Sequence, residues 1–224
     1  MLNNSKIKAV IFDFDGIIVN TQVYHWVAWK KTLSKYGVAL DETDNLVTRG
    51  ADRRDVLLSL LKLHNIIWKE SKIQKVLKEK NEFYKFLISD INKVELLPET
   101  FFLIKWLRKH GFKVGIATLS KNAILIIKKI EIEKYFDVIV DPETVLKVKP
   151  DPEVFFKAAA LLGLNSWECL GIEDSQIGID AINAAFMASL AIDYNNNIQD
   201  ARLTISSTKE LSPQLFLDFI KSYK

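Results

Sequence analysis

Short apolar runs recur along the chain, each bounded by charged or turn residues: Ala9 to Phe12, Val114 to Ala117, Val138 to Val140, Cys169 to Ile172 and Leu190 to Ile192. Their apolarity is continuous rather than alternating, which predicts strands buried on both faces of a parallel sheet. Helical periodicity fills the intervals, as in Phe101 to His110 before Gly111, Glu153 to Leu162 before Gly163, and Ser175 to about Phe186. A glycine just past the last periodic residue stops a helix because it enters the left-handed conformation without a side-chain clash. Strand and helix alternate, so the second half predicts a doubly wound, Rossmann-like α/β core.

The interval after the first run breaks this rhythm. Val23 to Tyr36, closed by Gly37, then Arg53 to Leu63, then Ser71 to Phe86 all read as helix. That is far more than one crossover connection requires. The expectation is a core of residues 1–17 and 90–224 with an inserted all-helical domain over 18–89.

Composition narrows the class only slightly. The 224 residues carry 31 Lys+Arg against 28 Asp+Glu, a net charge of +3 that is too small and too evenly spread to argue for nucleic acid. No run approaches the roughly 18 apolar residues of a membrane span, and neither a signal-peptide core nor a cleavage site precedes Lys8. A cytoplasmic monomer with no membrane partner is expected. The lone Cys169 sits beside Leu170 and Ile172 and reads as a buried, inert thiol.

Candidate chemistry gathers at the ends of the predicted strands. Phe12-Asp13-Phe14-Asp15-Gly16 puts two carboxylates at i and i+2, on one face of a strand end, before a glycine that permits an abrupt exit. Taken alone, the pair serves equally well to end a strand. Gly171-Ile172-Glu173-Asp174-Ser175 repeats the pattern, and Asp174 or Ser175 also suits a helix N-cap. If the two strand ends are neighbours, Asp13, Asp15, Glu173 and Asp174 form a cluster that repels itself unless a hard cation such as Mg²⁺ neutralises it. Thr118-Leu119-Ser120-Lys121-Asn122 offers hydroxyls, a cation and an amide at a helix start, which suits a phosphate or a plain cap. Lys149, just before Pro150, is either solvated surface or the group that orients an attacking carboxylate.

In this order, Asp-x-Asp-Gly, Thr118, Lys149-Pro150 and Glu173-Asp174-Ser175, the motifs resemble those of the haloacid dehalogenase superfamily, and the helical insertion looks like its cap. Within the superfamily the likeness extends to enzymes that move a phosphoryl group between the two ends of a hexose, through Thr21, Tyr24-His25-Trp26-Val27-Ala28-Trp29-Lys30, Glu79-Lys80-Asn81, Ser120-Lys121-Asn122 and Glu173-Asp174-Ser175-Gln176.

The resemblance implies that Asp13 attacks phosphorus and Asp15 passes protons to and from the sugar oxygen, with Thr118 and Lys149 supporting the reacting phosphoryl group. It implies Mg²⁺ on Asp13, the main chain of Asp15, Glu173 and Asp174, and a distal phosphate on Arg53, Ser120, Lys121 and Asn122. His25, Trp29 and Lys80 would meet the sugar or help assemble the closed site, Thr21 would sit near the cap hinge, and Gly50 and Ala51 belong to the sugar-facing cap loop. His25 and Trp29 could instead stack on one helix face, and Arg53 and Lys80 could be solvated cap surface. The implied partner is a small phosphorylated sugar, with glucose 1,6-bisphosphate as phosphoryl primer for the exchange of β-glucose 1-phosphate and glucose 6-phosphate. A sugar-phosphate phosphatase with the same core is the nearest alternative, and a receiver-like signalling module the more distant one. The chain departs from the family at Asn20, where an acid is expected, at Thr118-Leu119 for Ser-Ala, and at Arg49-Gly50-Ala51-Asp52 before Arg53.

Overall fold

The computed structural model describes residues 5–48, 51–92 and 95–223. Its core is a six-stranded sheet in the order β3-β2-β1-β4-β5-β6 with every pairing parallel. The strands are β1 (Ala9–Phe12), β2 (Lys113–Ile116), β3 (Val138–Ile139), β4 (Cys169–Glu173), β5 (Ala188–Ile192) and β6 (Leu203–Ile205). The predicted parallel sheet is present. β6 was not foreseen, because three residues with an exposed Thr204 in the middle do not make an apolar run.

Alternate residues of β1 enter different cores. Val10 and Phe12 pack into one apolar cluster, Ala9 and Ile11 into the other, so both faces of the strand are buried, as continuous apolarity requires. Helices α4 (Pro98–Lys109), α5 (Ala123–Lys129), α6 (Glu153–Leu161), α7 (Gln176–Ala184) and α8 (Pro213–Ser222) clothe the sheet. The stop glycines behave as expected: φ is +84° at Gly111 and +69° at Gly163.

Between β1 and α4 lie α1 (Gln22–Ser34), α2 (Arg53–Leu63) and α3 (Glu70–Leu87), with a 3₁₀ turn over Glu42–Thr48 that the periodicity had not suggested. These helices share their own apolar cluster, centred on Trp29, Leu33, Leu57, Leu60 and Val76. Ala28 and Tyr84 turn the other way and join the sheet's core. Among the described residues no helix is long and apolar enough to cross a membrane. Cys169 is buried, its thiol pushed up to about 12 by that burial, in keeping with an inert side chain.

Candidate active site

Strand order reverses direction between β1 and β4, and ligands of open α/β sheets bind beyond the carboxyl ends at such a point. Phe12 is in register with Ile172, and Asp13 N–H donates to the Ile172 carbonyl at 2.9 Å, so Asp13 and Glu173 leave the sheet together. Lys149 Nζ lies between them, 2.7 Å from Asp13 Oδ1 and 2.6 Å from Glu173 Oε1. The other Glu173 oxygen accepts from Asp174 N–H, Ser175 N–H and Ser175 Oγ at 2.8–2.9 Å. Burial pushes the Asp13 carboxyl up to about 7 against the pull of Lys149, with Glu173 and Asp15 adding to the rise. Burial would lower Lys149, but Asp13 and Glu173 outweigh it and raise the ammonium above its ordinary value.

One oxygen each of Asp13, Glu173 and Asp174 lie within 4.8 Å of one another. Three carboxylates against one ammonium leave an anionic, oxygen-only donor set, which suits a divalent hard cation. Gly178 makes room for the Glu173 carboxylate: a Cβ there would lie 2.0 Å from the Glu173 carboxyl carbon. Gly178→Ala is therefore expected to displace Glu173, costing about 1–3 kcal/mol of stability and weakening Mn²⁺ binding. Calorimetric titration and thermal unfolding check this.

The Asp15 carboxylate does not join that cluster. It accepts a hydrogen bond from the Thr21 hydroxyl, and His25 Nε2 lies 3.7 Å from Asp15 Oδ1. Burial works to raise Asp15, yet the polar hydrogens of His25, Thr21 and Ser120 hold it below its ordinary value. On the far side of the ring, Lys80 Nζ donates to His25 Nδ1 at 2.8 Å, which leaves Nε2 to carry the proton toward Asp15. His25 stacks on Tyr84, with ring centroids 4.1 Å apart, and not on Trp29 as the helix spacing allowed. Lys80 is 1% exposed, its Nζ 4.9 Å from the Trp29 and Tyr84 rings, so it is no solvated cap lysine. Burial and then Arg53 push Lys80 well below its ordinary value.

Burial and Lys80 push His25 from 6.5 down to about 4. Between these values the unfolded chain binds a proton that the folded chain refuses, so this contribution to stability is lost as pH falls from 6.5 towards 4. His25→Gln is expected to flatten that slope, measured as urea midpoints at stepped pH. An unchanged slope would contradict the buried, neutral imidazole.

A cavity of about 360 Å³ opens over this pair between the sheet end and the helices. Of the residues singled out in the sequence, Asp13, Asp15, His25, Trp29, Ala51, Arg53, Lys80, Thr118, Ser120 and Lys121 border it. Trp29 does so while belonging to the helical core, so packing and lining are one role for it. Thr21, Lys149, Glu173 and Asp174 are buried and do not border the cavity; Asp174 lines a second cavity instead. Asn122 is buried and its amide donates to Asn81 Oδ1 at 3.1 Å, tying α5's start to α3. Gly50 lies outside the described residues.

Gln22 was missed: it borders the cavity and its amide reaches the Asp15 carbonyl and Asp174 Oδ2, both at 3.4 Å. Arg54, Gln74 and Lys78 also line the wall without having been anticipated. Tyr84 stands one helical turn from Lys80, a spacing that could have pointed to it.

The haloacid dehalogenase-like hydrolase family model matches residues 10–192, and the chain belongs to that family. It is 34% identical to β-phosphoglucomutase of Bacillus subtilis (strain 168) over 97% of each chain. It also resembles a fructose-1-phosphate phosphatase of Escherichia coli (strain K12), 27% identical over 84% of this chain and 97% of that one. Among solved structures, β-phosphoglucomutase from Clostridium difficile superposes with a TM-score of 0.90 at 34% identity, covering 97% of this chain and 98% of that one.

Proposed function

We propose that the chain is a Mg²⁺-dependent phosphomutase interconverting β-D-glucose 1-phosphate and D-glucose 6-phosphate through an aspartyl-phosphate enzyme and a glucose 1,6-bisphosphate intermediate. The observation that carries this reading is the pairing of Asp13, held by Lys149, with a separately held, ionised Asp15 under a cation-lined cavity roofed by α1–α3. The likeness to two β-phosphoglucomutases over nearly the whole chain supports it.

On this reading residues 18–89 form the cap over a core of 1–17 and 90–224, and the chain works as a cytoplasmic monomer. Starting from phosphorylated Asp13, the bound sugar phosphate is held at its far end by Arg53, Ser120, Lys121 and Asn122, and turns its free hydroxyl to phosphorus. Asp15 takes the hydroxyl proton as the oxygen–phosphorus bond forms and the bond to Asp13 breaks. The bisphosphate then turns over, Asp13 attacks the other phosphorus, and Asp15 returns its proton to the leaving sugar oxygen. Lys149 fixes Asp13 Oδ1, and Thr118 with Lys149 supports the phosphoryl oxygens. Mg²⁺, on Asp13, the Asp15 carbonyl, Glu173 and Asp174, would offset charge on the transferring group. His25, Trp29, Lys80, Gly50 and Ala51 meet the sugar or the closed cap, while Thr21 keeps Asp15 in place.

The test is incubation with β-glucose 1-phosphate, Mg²⁺ and a trace of glucose 1,6-bisphosphate. Glucose 6-phosphate is the expected product. Stoichiometric release of inorganic phosphate without it would sink the mutase reading in favour of a phosphatase of the same family.

A further inference from the structure

The two stretches that join the helices to the sheet run side by side. Val19 bridges Leu96 in antiparallel fashion, Asn20 N–H donates to the Glu95 carbonyl at 2.8 Å, and Leu97 N–H donates to the Ile18 carbonyl at 3.0 Å. These bonds hold the main chain of Glu95 against residues 18–20, whose Ile18 and Val19 are buried in the sheet's core cluster. Its side chain reaches across: the Tyr24 hydroxyl, in the first turn of α1, donates to Glu95 Oε1 at 2.8 Å.

Any rotation of α1 against the sheet about the Asn20-Thr21 step changes this distance. The same rotation moves His25, the next residue, relative to Asp15, and at the far lip it moves Asn81 relative to Asn122. Tyr24 and Glu95 do not border the cavity, so their bond acts on geometry and touches no substrate there. The Tyr24 ring packs against the sheet's core cluster, a contact that a phenylalanine keeps.

We infer that the Tyr24–Glu95 hydrogen bond is a brace at the cap hinge that sets the closed angle, and through it the share of phosphoryl group passed to sugar rather than to water. This rests on the mutase reading above. In the wasteful branch a water oxygen attacks phosphorus, its proton passes to Asp15, the bond to Asp13 breaks, and inorganic phosphate leaves. Water reaches phosphorus only from the open cap. A hydrogen bond to a carboxylate shifts an open–closed equilibrium by about tenfold. Tyr24 and Glu95 are thus positioning residues, distinct from Asp13 and Asp15, which react.

The experiment measures inorganic phosphate released per glucose 6-phosphate formed, for the intact chain and for Tyr24→Phe, Glu95→Gln and the double variant. Tyr24→Phe is expected to raise this ratio about tenfold and to raise KM for the sugar phosphate. Phosphoenzyme formation from acetyl phosphate, which has no sugar to enclose, should stay within about twofold. Glu95→Gln keeps an acceptor and should raise the ratio less, and the double variant should go no further than Tyr24→Phe, because one bond is lost in both. An unchanged ratio in Tyr24→Phe, with the unsubstituted chain isomerising normally, overturns the brace alone. An unsubstituted chain that forms no glucose 6-phosphate overturns the proposed reaction, and the partition with it.

Discussion

Asp13→Ala is expected to abolish phosphoenzyme formation and to reduce turnover by about 10⁴-fold or more, with the fold intact. Nothing else among the described residues offers a carboxylate to both Lys149 and the cavity: Glu173 meets Lys149 but is walled off, and Asp15 faces the cavity but bonds Thr21. The variant should unfold at the same temperature or higher. Asp13 is pushed up to about 7 by burial and by its acidic neighbours, so its charge opposes folding, and Lys149 keeps Glu173 as partner when it is gone. A residue kept despite that cost is expected at a functional site. Intact-protein mass after incubation with acetyl phosphate reads phosphoenzyme formation directly. A fully active Asp13→Ala protein would overturn the mechanism.

The sheet was legible because its signal is local: strands buried on both faces spell themselves as unbroken apolar runs, and Ala9–Phe12 and Cys169–Glu173 lie where those runs stand. The helices were legible for the same reason, down to Arg53–Leu63. The acidic cluster was legible once the two strand ends were supposed adjacent, which the pairing of Phe12 with Ile172 provides. What could not be read is where each carboxylate points. Asp13 and Asp15 share a face by strand periodicity, yet the chain has left the strand by Asp15, and Gly16, at φ +85°, turns it away. A Cβ at Gly16 would lie 2.5 Å from Asp174 Oδ2, so that turn needs glycine for space as well as for φ.

Helix spacing likewise said nothing of Lys80's burial. A lysine on an amphipathic helix reads as solvated; of its partners only Tyr84 shares its helix, while His25 and Trp29 come from α1, which sequence separates widely from it. Such a lysine is tolerated because its hydrogens meet an imidazole nitrogen and two aromatic faces. Of the departures from the family, Ala51, Asp52, Thr118 and Leu119 border the cavity and Asn20 does not. On the proposed reading Thr118 keeps a hydroxyl at the reacting end, while Ala51 and Asp52 bear on which hexose fits.

Asp15→Asn is expected to slow isomerisation by about 10²–10⁴-fold, the usual worth of a positioned general acid–base group, while sparing the chemistry that needs no proton. The substitution is nearly isosteric, and its carbonyl oxygen can still accept from Thr21, so the geometry around Asp13 should persist. On the proposed mechanism, what disappears is the acceptor for the sugar hydroxyl's proton, a role that suits a carboxylate whose hydrogen bonds hold it below its ordinary value against its own burial. Acetyl phosphate separates the two functions, since its leaving carboxylate departs without a proton. Phosphorylation of Asp13 from it should proceed within about tenfold of the unsubstituted rate, and the phosphoenzyme should then persist in the presence of sugar phosphate instead of discharging to it. If Asp15→Asn blocks phosphorylation by acetyl phosphate as completely as Asp13→Ala does, Asp15 is acting on the metal or on Asp13 itself, and its assignment as proton carrier fails.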